Sequence, residues 1–400
     1  MRNIFVIIGG GKSQVPFVQA IKNKKFRSIV FDRDVNAPAS KLADYFFPIS
    51  THDTNSILEK LSNFSEDILS CFTYSSFPDA VKTAASVNEE FNTLGLKLND
   101  LDLVLSKKYF YKKIMDLGFN CPRTLIVNSE KDAQSQLRSF EKVILKPAYG
   151  TSGSTGVDTS YFRDKEFKKK YAVAERASKD NYVAIQEFLD GEEYSVDGYI
   201  SDGKPYFLNL ARKRTLSKEY GYTIDGFYIN DIPETICSQI FQTASAVISG
   251  LSLNNTFFNF DLLRVENHLY FIDFGILLDA KIDRLLSFLG IKVYDVPILI
   301  IERKGVSSYF SLKRGKKKLM MRFIYQNSFL DYQDIELVNC RPSDSKFYLE
   351  FYNLITESKF TKNKCPIQVS DSIGILISQG HLAKKIWDMP FPLRVKELNL

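Results

Sequence analysis

Short apolar runs alternate with polar and glycine-rich stretches along the chain, and the period of each run predicts an element. Residues 3–8 form an apolar run from Ile4 to Ile8, as in a strand buried on both faces, and Gly9-Gly10-Gly11 follows it. A helix is expected over 16–22, and strands over 28–31, 46–50 and 68–74, so the N-terminal part reads as a small open α/β domain. Ser106 is placed to start a helix whose apolar positions 110, 114 and 117 recur at helical spacing, and Gly118 is placed to end it. A strand over 124–127, a polar helical stretch and a strand over 143–145 come next, then a charged helix over 164–177. Residues 182–213 read as an antiparallel meander that turns at Ser201-Asp202-Gly203-Lys204. An amphipathic helix over 236–251 precedes a hairpin, 257–265 and 269–275, across Glu266-Asn267-His268. From about 306, strand-like runs over 320–325, 347–352 and 372–377 and a helix over 381–387 read as a small antiparallel lobe.

Composition narrows this picture. A chain of 400 residues is too long for one ordinary core, and 44% hydrophobic with 25% charged residues is the make-up of a globular protein in water. No apolar run approaches the roughly 18 residues that cross a bilayer, and Met1-Arg2-Asn3 leads straight into a strand, so a cytoplasmic protein without membrane contact is expected. The five cysteines are scattered and odd in number, which argues against a disulfide frame or a zinc site. The net charge of +6 is spread out except for the run 313–318, read as a solvated turn because no aromatic platform accompanies it; no nucleic-acid partner is expected.

The chemistry concentrates in two places. Gly11-Lys12-Ser13 fails as a Walker A loop because Val6 stands where glycine is required, and Gln14 spoils the dinucleotide pattern. The strand ending on Lys146-Pro147, by contrast, opens a loop with glycines at 150, 153 and 156. There the backbone can approach a polyphosphate, and Thr151, Ser152, Ser154 and Thr155 can donate to it. Asp261 and Asp273 lie inside the apolar strands of the last hairpin, where they can face each other and share a magnesium ion with phosphates. A small polar turn and a pair of water-exposed edge aspartates are the plain alternatives; their occurrence together favours the phosphate and metal reading.

Taken in order, these pieces resemble the ATP-grasp superfamily, which includes biotin carboxylase, carbamoyl phosphate synthetase and D-alanine-D-alanine ligase. The resemblance covers the order of domains over nearly the whole chain. It implies an α/β (α+β) architecture: a Rossmann-like domain at 1–103, an ATP-grasp domain at 104–305 with a lid at about 124–190, and an antiparallel lobe at 306–400. By the same resemblance Lys107 and Lys146 would hold the nucleotide phosphates, with Gly150, Ser152, Gly153, Ser154, Thr155 and Gly156 as a flap over them. Gln186, Glu187, Phe188 and Leu189 would meet the adenine and Glu193 the ribose, while Val143, Phe188 and Leu263 would wall the base; Asp261 and Asp273 match the metal positions.

Two departures stand out. The family pattern E-x-N-x-R reads Asp273-Phe274-Gly275-Ile276-Leu277, so the metal-shell asparagine is Gly275 and the phosphate arginine is Leu277. Arg264, Lys281 and Arg284, or Arg212, Lys213 and Arg214, are candidates to supply the missing charge, and the stretch around Tyr220 and Tyr222 is a candidate for substrate contacts. The implied activity is ATP-dependent ligation of a small-molecule carboxylate to an amine through an acyl phosphate. ATP and Mg2+ or Mn2+ would be required; the oligomeric state is left open, with a homodimer as one option the resemblance offers. A protein that keeps the fold and binds nucleotide without turnover, as a regulator or scaffold, is the alternative.

Overall fold

The computed structural model describes residues 2–302, leaving aside 76, 138–139, 151–155, 162–164, 217–222, 230 and 279–281, together with 318–325, 347–351, 372–379 and 387–388. The first apolar run becomes β1 (Ile4–Ile8), all five residues buried. After α1 (Val15–Asn23) come β2 (Arg27–Phe31), β3 (Tyr45–Phe47), α2 (Thr54–Leu61), β4 (Ile68–Phe72) and α3 (Pro78–Glu90). The strands pair in parallel in the order β3-β2-β1-β4. Alternation along β1 feeds two cores. Phe5 and Ile7 pack in the cluster that holds Phe17, Val18 and Ile21 of α1, while Ile4, Val6 and Ile8 pack in the one that holds Ile57, Leu61, Ala84 and Val87 of α2 and α3. The glycine triplet is consumed by this packing: the Gly10 amide donates to Asp32 at 2.7 Å, and a Cβ there would lie 2.8 Å from that of Ala37.

A short α4 (Leu101–Leu105) leads into α5 (Lys107–Asp116), which Gly118 ends with φ +83°. The lid follows as β5 (Thr124–Val127), α6 (Glu130–Gln136), β6 (Lys142–Pro147), β7 (Asp158–Tyr161), α7 (Phe167–Ala177) and β8 (Val183–Glu187). Its four antiparallel strands run β5-β8-β6-β7 and share a core with α6 and α7. Two backbone bonds tie the α4–α5 junction to the segment after β6: the Lys107 amide donates to Ala148 at 2.9 Å and the Gly150 amide to Leu105 at 2.7 Å. They place the start of α5 beside the lid.

The largest layer is an eight-stranded sheet. Its strands are β9 (Glu192–Ser201), β10 (Lys204–Leu216), β11 (Thr223–Ile229), β12 (Thr256–Val265), β13 (His268–Gly275), β14 (Leu319–Tyr325), β15 (Phe347–Phe351) and β16 (Ser372–Gln379). The order is β13-β12-β9-β10-β11-β14-β16-β15, so β14, β16 and β15 continue the central sheet through the β11 and β14 pairing. The helices of this part are α8 (Glu234–Leu251), α9 (Ile282–Phe288) and α10 (Val296–Ile301). Tyr194, Val196, Phe258, Phe260 and Phe271 bury one face of the sheet against α5 and α8. By alternation the other face carries Glu193, Ser195, Asp197, Asn259 and Asp261.

Candidate active site

Each functional side chain is placed by strand pairing. In the hairpin of β12 and β13, Asp261 stands directly opposite Asp273. Lys107, the first residue of α5, reaches Asp273 with its Nζ 2.5 Å from Oδ1, and the Phe274 amide donates to the same oxygen at 2.9 Å. Lys213 comes from β10, its Nζ 2.8 Å from Asp261 Oδ2 and 3.3 Å from Glu193 Oε1, with its side chain only 2% exposed. Lys146 donates to Gln186 Oε1 at 3.0 Å and to the Ile272 carbonyl at 2.8 Å, and the Tyr111 hydroxyl donates to the same carbonyl at 2.8 Å. Lys107 and Lys213 thus meet three carboxylates, and Lys146 is held beside them by an amide oxygen and a backbone carbonyl.

The electrostatics follow from burial and these neighbours. Burial drives the Lys146 ammonium down from its ordinary 10.5 to about 8, with Asp273 opposing the change and Lys107 adding to it. Burial pushes the Asp273 carboxyl up, but Lys107 and Lys146 beside it outweigh that push and hold it below the usual range. A cleft of about 310 Å³ lies alongside, bordered by the segment from Gln186 to Glu193, by Lys213, and by apolar Ile144, Leu263 and Ile272. That volume is at the lower end of ordinary small-molecule sites.

The other expected residues lie as follows. Gln186, Phe188 and Leu189 line the cleft; the Gln186 amide also donates to Thr124 at 3.1 Å, and Lys142 Nζ lies 3.3 Å from the centre of the Phe188 ring. The Glu187 carboxylate is taken by Arg123, whose amide and Nε donate to it at 2.8 and 2.7 Å. Val143 does not wall the cleft: it packs in the lid core, and Ile144 lines the cleft instead. Strand alternation explains the correction, since Ile144 and Lys146 are two apart and share a face, whereas Val143 points the other way. Gly150 and Gly156 take φ of +116° and +76°, and a Cβ at Gly156 would lie 2.8 Å from that of Ala177. Ser152, Gly153, Ser154, Thr155, Lys281, Tyr220 and Tyr222 lie outside the described residues. Arg264 sits at the hairpin end, donating to Asn267 at 3.2 Å and lying 3.7 Å from Glu192; Arg284 is exposed on α9. Sequence reasoning missed Ile144 and Ile272 in the cleft, and also the buried hydrogen-bonded group of Ser195, Asp197, Asn209 and Asn259.

Among the described residues, no three His, Cys, Asp or Glu side chains gather into a group that could hold a metal alone. Two facing carboxylates still fit Mg2+, which typically takes one or two carboxylates and completes its shell with water and substrate phosphates. The donor set therefore suits an ion arriving with a nucleotide.

Residues 104–274 match the family model of the ATP-grasp domain. Over that stretch the chain is similar to the ATP-grasp domain family. Its fold is similar over nearly its full length to solved ATP-grasp ligases. One is N5-carboxyaminoimidazole synthetase from Staphylococcus aureus, solved with ADP: TM-score 0.71, 12% identity, covering 96% of this chain and 95% of that one. Another is L-amino acid ligase from Bacillus licheniformis, with TM-score 0.69 and 15% identity over 96% of this chain and 95% of that one. In sequence, the chain is 29% identical over 144 residues to the uncharacterized protein MJ0776 of Methanocaldococcus jannaschii, a match that covers 34% of this chain and 37% of that protein. The match thus spans little more than a third of that relative, and the structural likenesses, all at low identity, establish the fold.

Proposed function

We propose that the protein is an ATP-dependent carboxylate–amine ligase that works through an acyl phosphate. The observation that carries this reading is the convergence of Lys107, Lys146 and Lys213 on Asp261, Asp273 and Glu193 beside a nucleoside-sized cleft. Adenine would lie between Ile144, Phe188 and Leu263, hydrogen-bonded to the backbone of Glu187 and Leu189, with the ribose hydroxyls at Glu193. Lys107 and Lys146 would hold the phosphates. Asp261 and Asp273 would hold Mg2+, which neutralises phosphate charge when bound.

The chemistry then needs positioning and charge more than a covalent catalyst. A substrate carboxylate oxygen bonds to the γ-phosphorus as the bond to the bridging oxygen breaks, releasing ADP. The amine next attacks the acyl carbon, phosphate leaves with the electron pair of the broken C–O bond, and the amine proton passes to solvent. Lys213, next to Asp261, takes the part of the family arginine absent at Leu277. Losing such a group costs about 2–4 kcal/mol of transition-state stabilisation, by analogy with deleted oxyanion donors.

Calorimetric titration of MgATP into the wild type and Asp273→Ala, beside an ADP-release assay over a panel of carboxylates and amines, tests the proposal. Magnesium-dependent binding with ADP release that needs both an acid and an amine, and that the variant lacks, is the expected result. Binding without stimulated release across the panel would instead favour a nucleotide-binding regulator, the reading that Gly275 and Leu277 support. Absence of nucleotide binding would overturn both.

A further inference from the structure

On the cleft face of the β12–β13 hairpin four positions form two facing pairs: Asp261 opposite Asp273, and Asn259 opposite Gly275. Two corners carry carboxylates. At the corner where the ATP-grasp pattern has asparagine, Gly275 offers no side chain. A Cβ built there meets nothing nearer than 3.9 Å, and the backbone is outside the left-handed region, so neither crowding nor strain calls for glycine.

The opposite corner is built differently. Asn259 is 9% exposed, and its Nδ2 donates to Ser195 Oγ at 3.0 Å and to Asp197 Oδ1 at 3.2 Å, both on β9. Asp197 also accepts from Ser195 Oγ at 3.0 Å and from Asn209 at 2.9 Å, a buried network that fixes the amide. The Ser195 hydroxyl hydrogen is given to Asp197, so the Ser195 oxygen accepts from Asn259 and the Asn259 atom facing β9 is the nitrogen. The oxygen, on the other arm of the planar amide, is turned away from β9. Residues facing each other across antiparallel strands have Cβ atoms about 4.5–5.5 Å apart, within reach of a position at Gly275.

We infer that Asn259 supplies, through Oδ1 and from the neighbouring strand, the oxygen ligand that Gly275 lacks, so that the metal of a bound metal–nucleotide complex meets Asp261, Asp273 and Asn259. This rests on the metal–nucleotide reading of the site above. It makes the glycine a relocation of a ligand and removes one of the two objections to turnover.

Mn2+ with ADP is the probe, read by electron paramagnetic resonance of free manganese, with ADP affinity in EDTA and the melting temperature as controls. Asn259→Ala should weaken Mn2+ binding to the ADP complex about tenfold or more, the scale seen when groups supporting a metal site are removed. Affinity for metal-free ADP should stay within twofold. Adding Gly275→Asn to that variant should restore most of the loss, while Gly275→Asn alone should change manganese affinity by less than twofold, because the ligand is already supplied. Wild-type manganese affinity in Asn259→Ala, or no restoration in the double variant, overturns the inference. If Asn259→Ala does not fold, the single Gly275→Asn variant decides: manyfold tightening means the position was vacant and Asn259 is not the ligand. Should the wild type fail to bind manganese with ADP at all, the nucleotide reading falls together with the inference. Binding that Asp273→Ala abolishes and Asn259→Ala leaves intact defeats the inference alone.

Discussion

The cleft and the β11–β14 junction both bury opposite charges, and to opposite ends. Beside the cleft, Lys107 meets Asp273 at 2.5 Å, and the aspartate side chain keeps 38% of its exposure. At the junction Arg322 meets Asp225 at 2.8 Å with both side chains at 0%, and Arg214 Nε adds a second contact at 2.8 Å to the same oxygen. Arg214 also donates to the Trp387 carbonyl, whose ring stacks on Tyr228. Burial raises the Asp225 carboxyl above its usual value although Arg322 and Arg214 pull it down, whereas Asp273, with lysines beside it, ends below. The stability that Asp273 contributes is therefore present above the unfolded carboxylate value and lost as pH falls through its lower folded value. For Asp225 the sign reverses: its contribution is full in acid and lost as pH rises through its folded value. One pair is a sealed joint and the other a set of charges held ready for exchange with a ligand.

The largest effect should come from the joint. Arg322→Met leaves Asp225 buried with Arg214 alone, and breaking a buried pair costs about 3–5 kcal/mol, read by urea unfolding. Asp225→Asn added to it should recover much of the loss, and the folded fraction should bind nucleotide like the wild type; a loss under about 1 kcal/mol would mean the joint is not sealed. Next in size, Lys213→Met should weaken ATP binding about 10- to 100-fold, the value of a charge-assisted hydrogen bond, and ADP binding less. Equal losses for ATP and ADP would remove Lys213 from the γ-phosphate. Lys107→Ala should cost about 1 kcal/mol or less of stability, since water reaches the orphaned Asp273, while clearly weakening nucleotide binding. A large loss of stability would show that this pair too is structural.

The smallest effect is a pH dependence. Lys146 carries its proton below about 8 and attracts phosphate in that form. ADP affinity should fall as pH rises through that value, by no more than tenfold per unit, and Lys146→Met should flatten the profile over the same range.

Much of the cleft was legible in the chain because the deciding pattern is local. Twelve residues and one turn put Asp261 opposite Asp273, and the observed register agrees. The glycine loop and Lys146 were marked by residue type at a strand end, while Lys107 came only from the family resemblance. Val143 was offered as a wall for its apolar character alone, whereas the period-two rule of its strand selects Ile144.

By itself the sequence determined which faces are apolar and where elements start and stop, since burial periodicity and end signals act over a few neighbouring residues. Only the tertiary structure decided which charges meet. Lys107 and Asp273 lie 166 positions apart, Arg322 and Asp225 lie 97, and Lys213 and Asp261 lie 48. The sequence named Lys213 only as one of six basic candidates; pairing of β10 with β9, and of β9 with β12, singles it out. The continuation of the central sheet into β14, β16 and β15 was likewise hidden, because a strand's own pattern records its buried face but not its hydrogen-bonded neighbour.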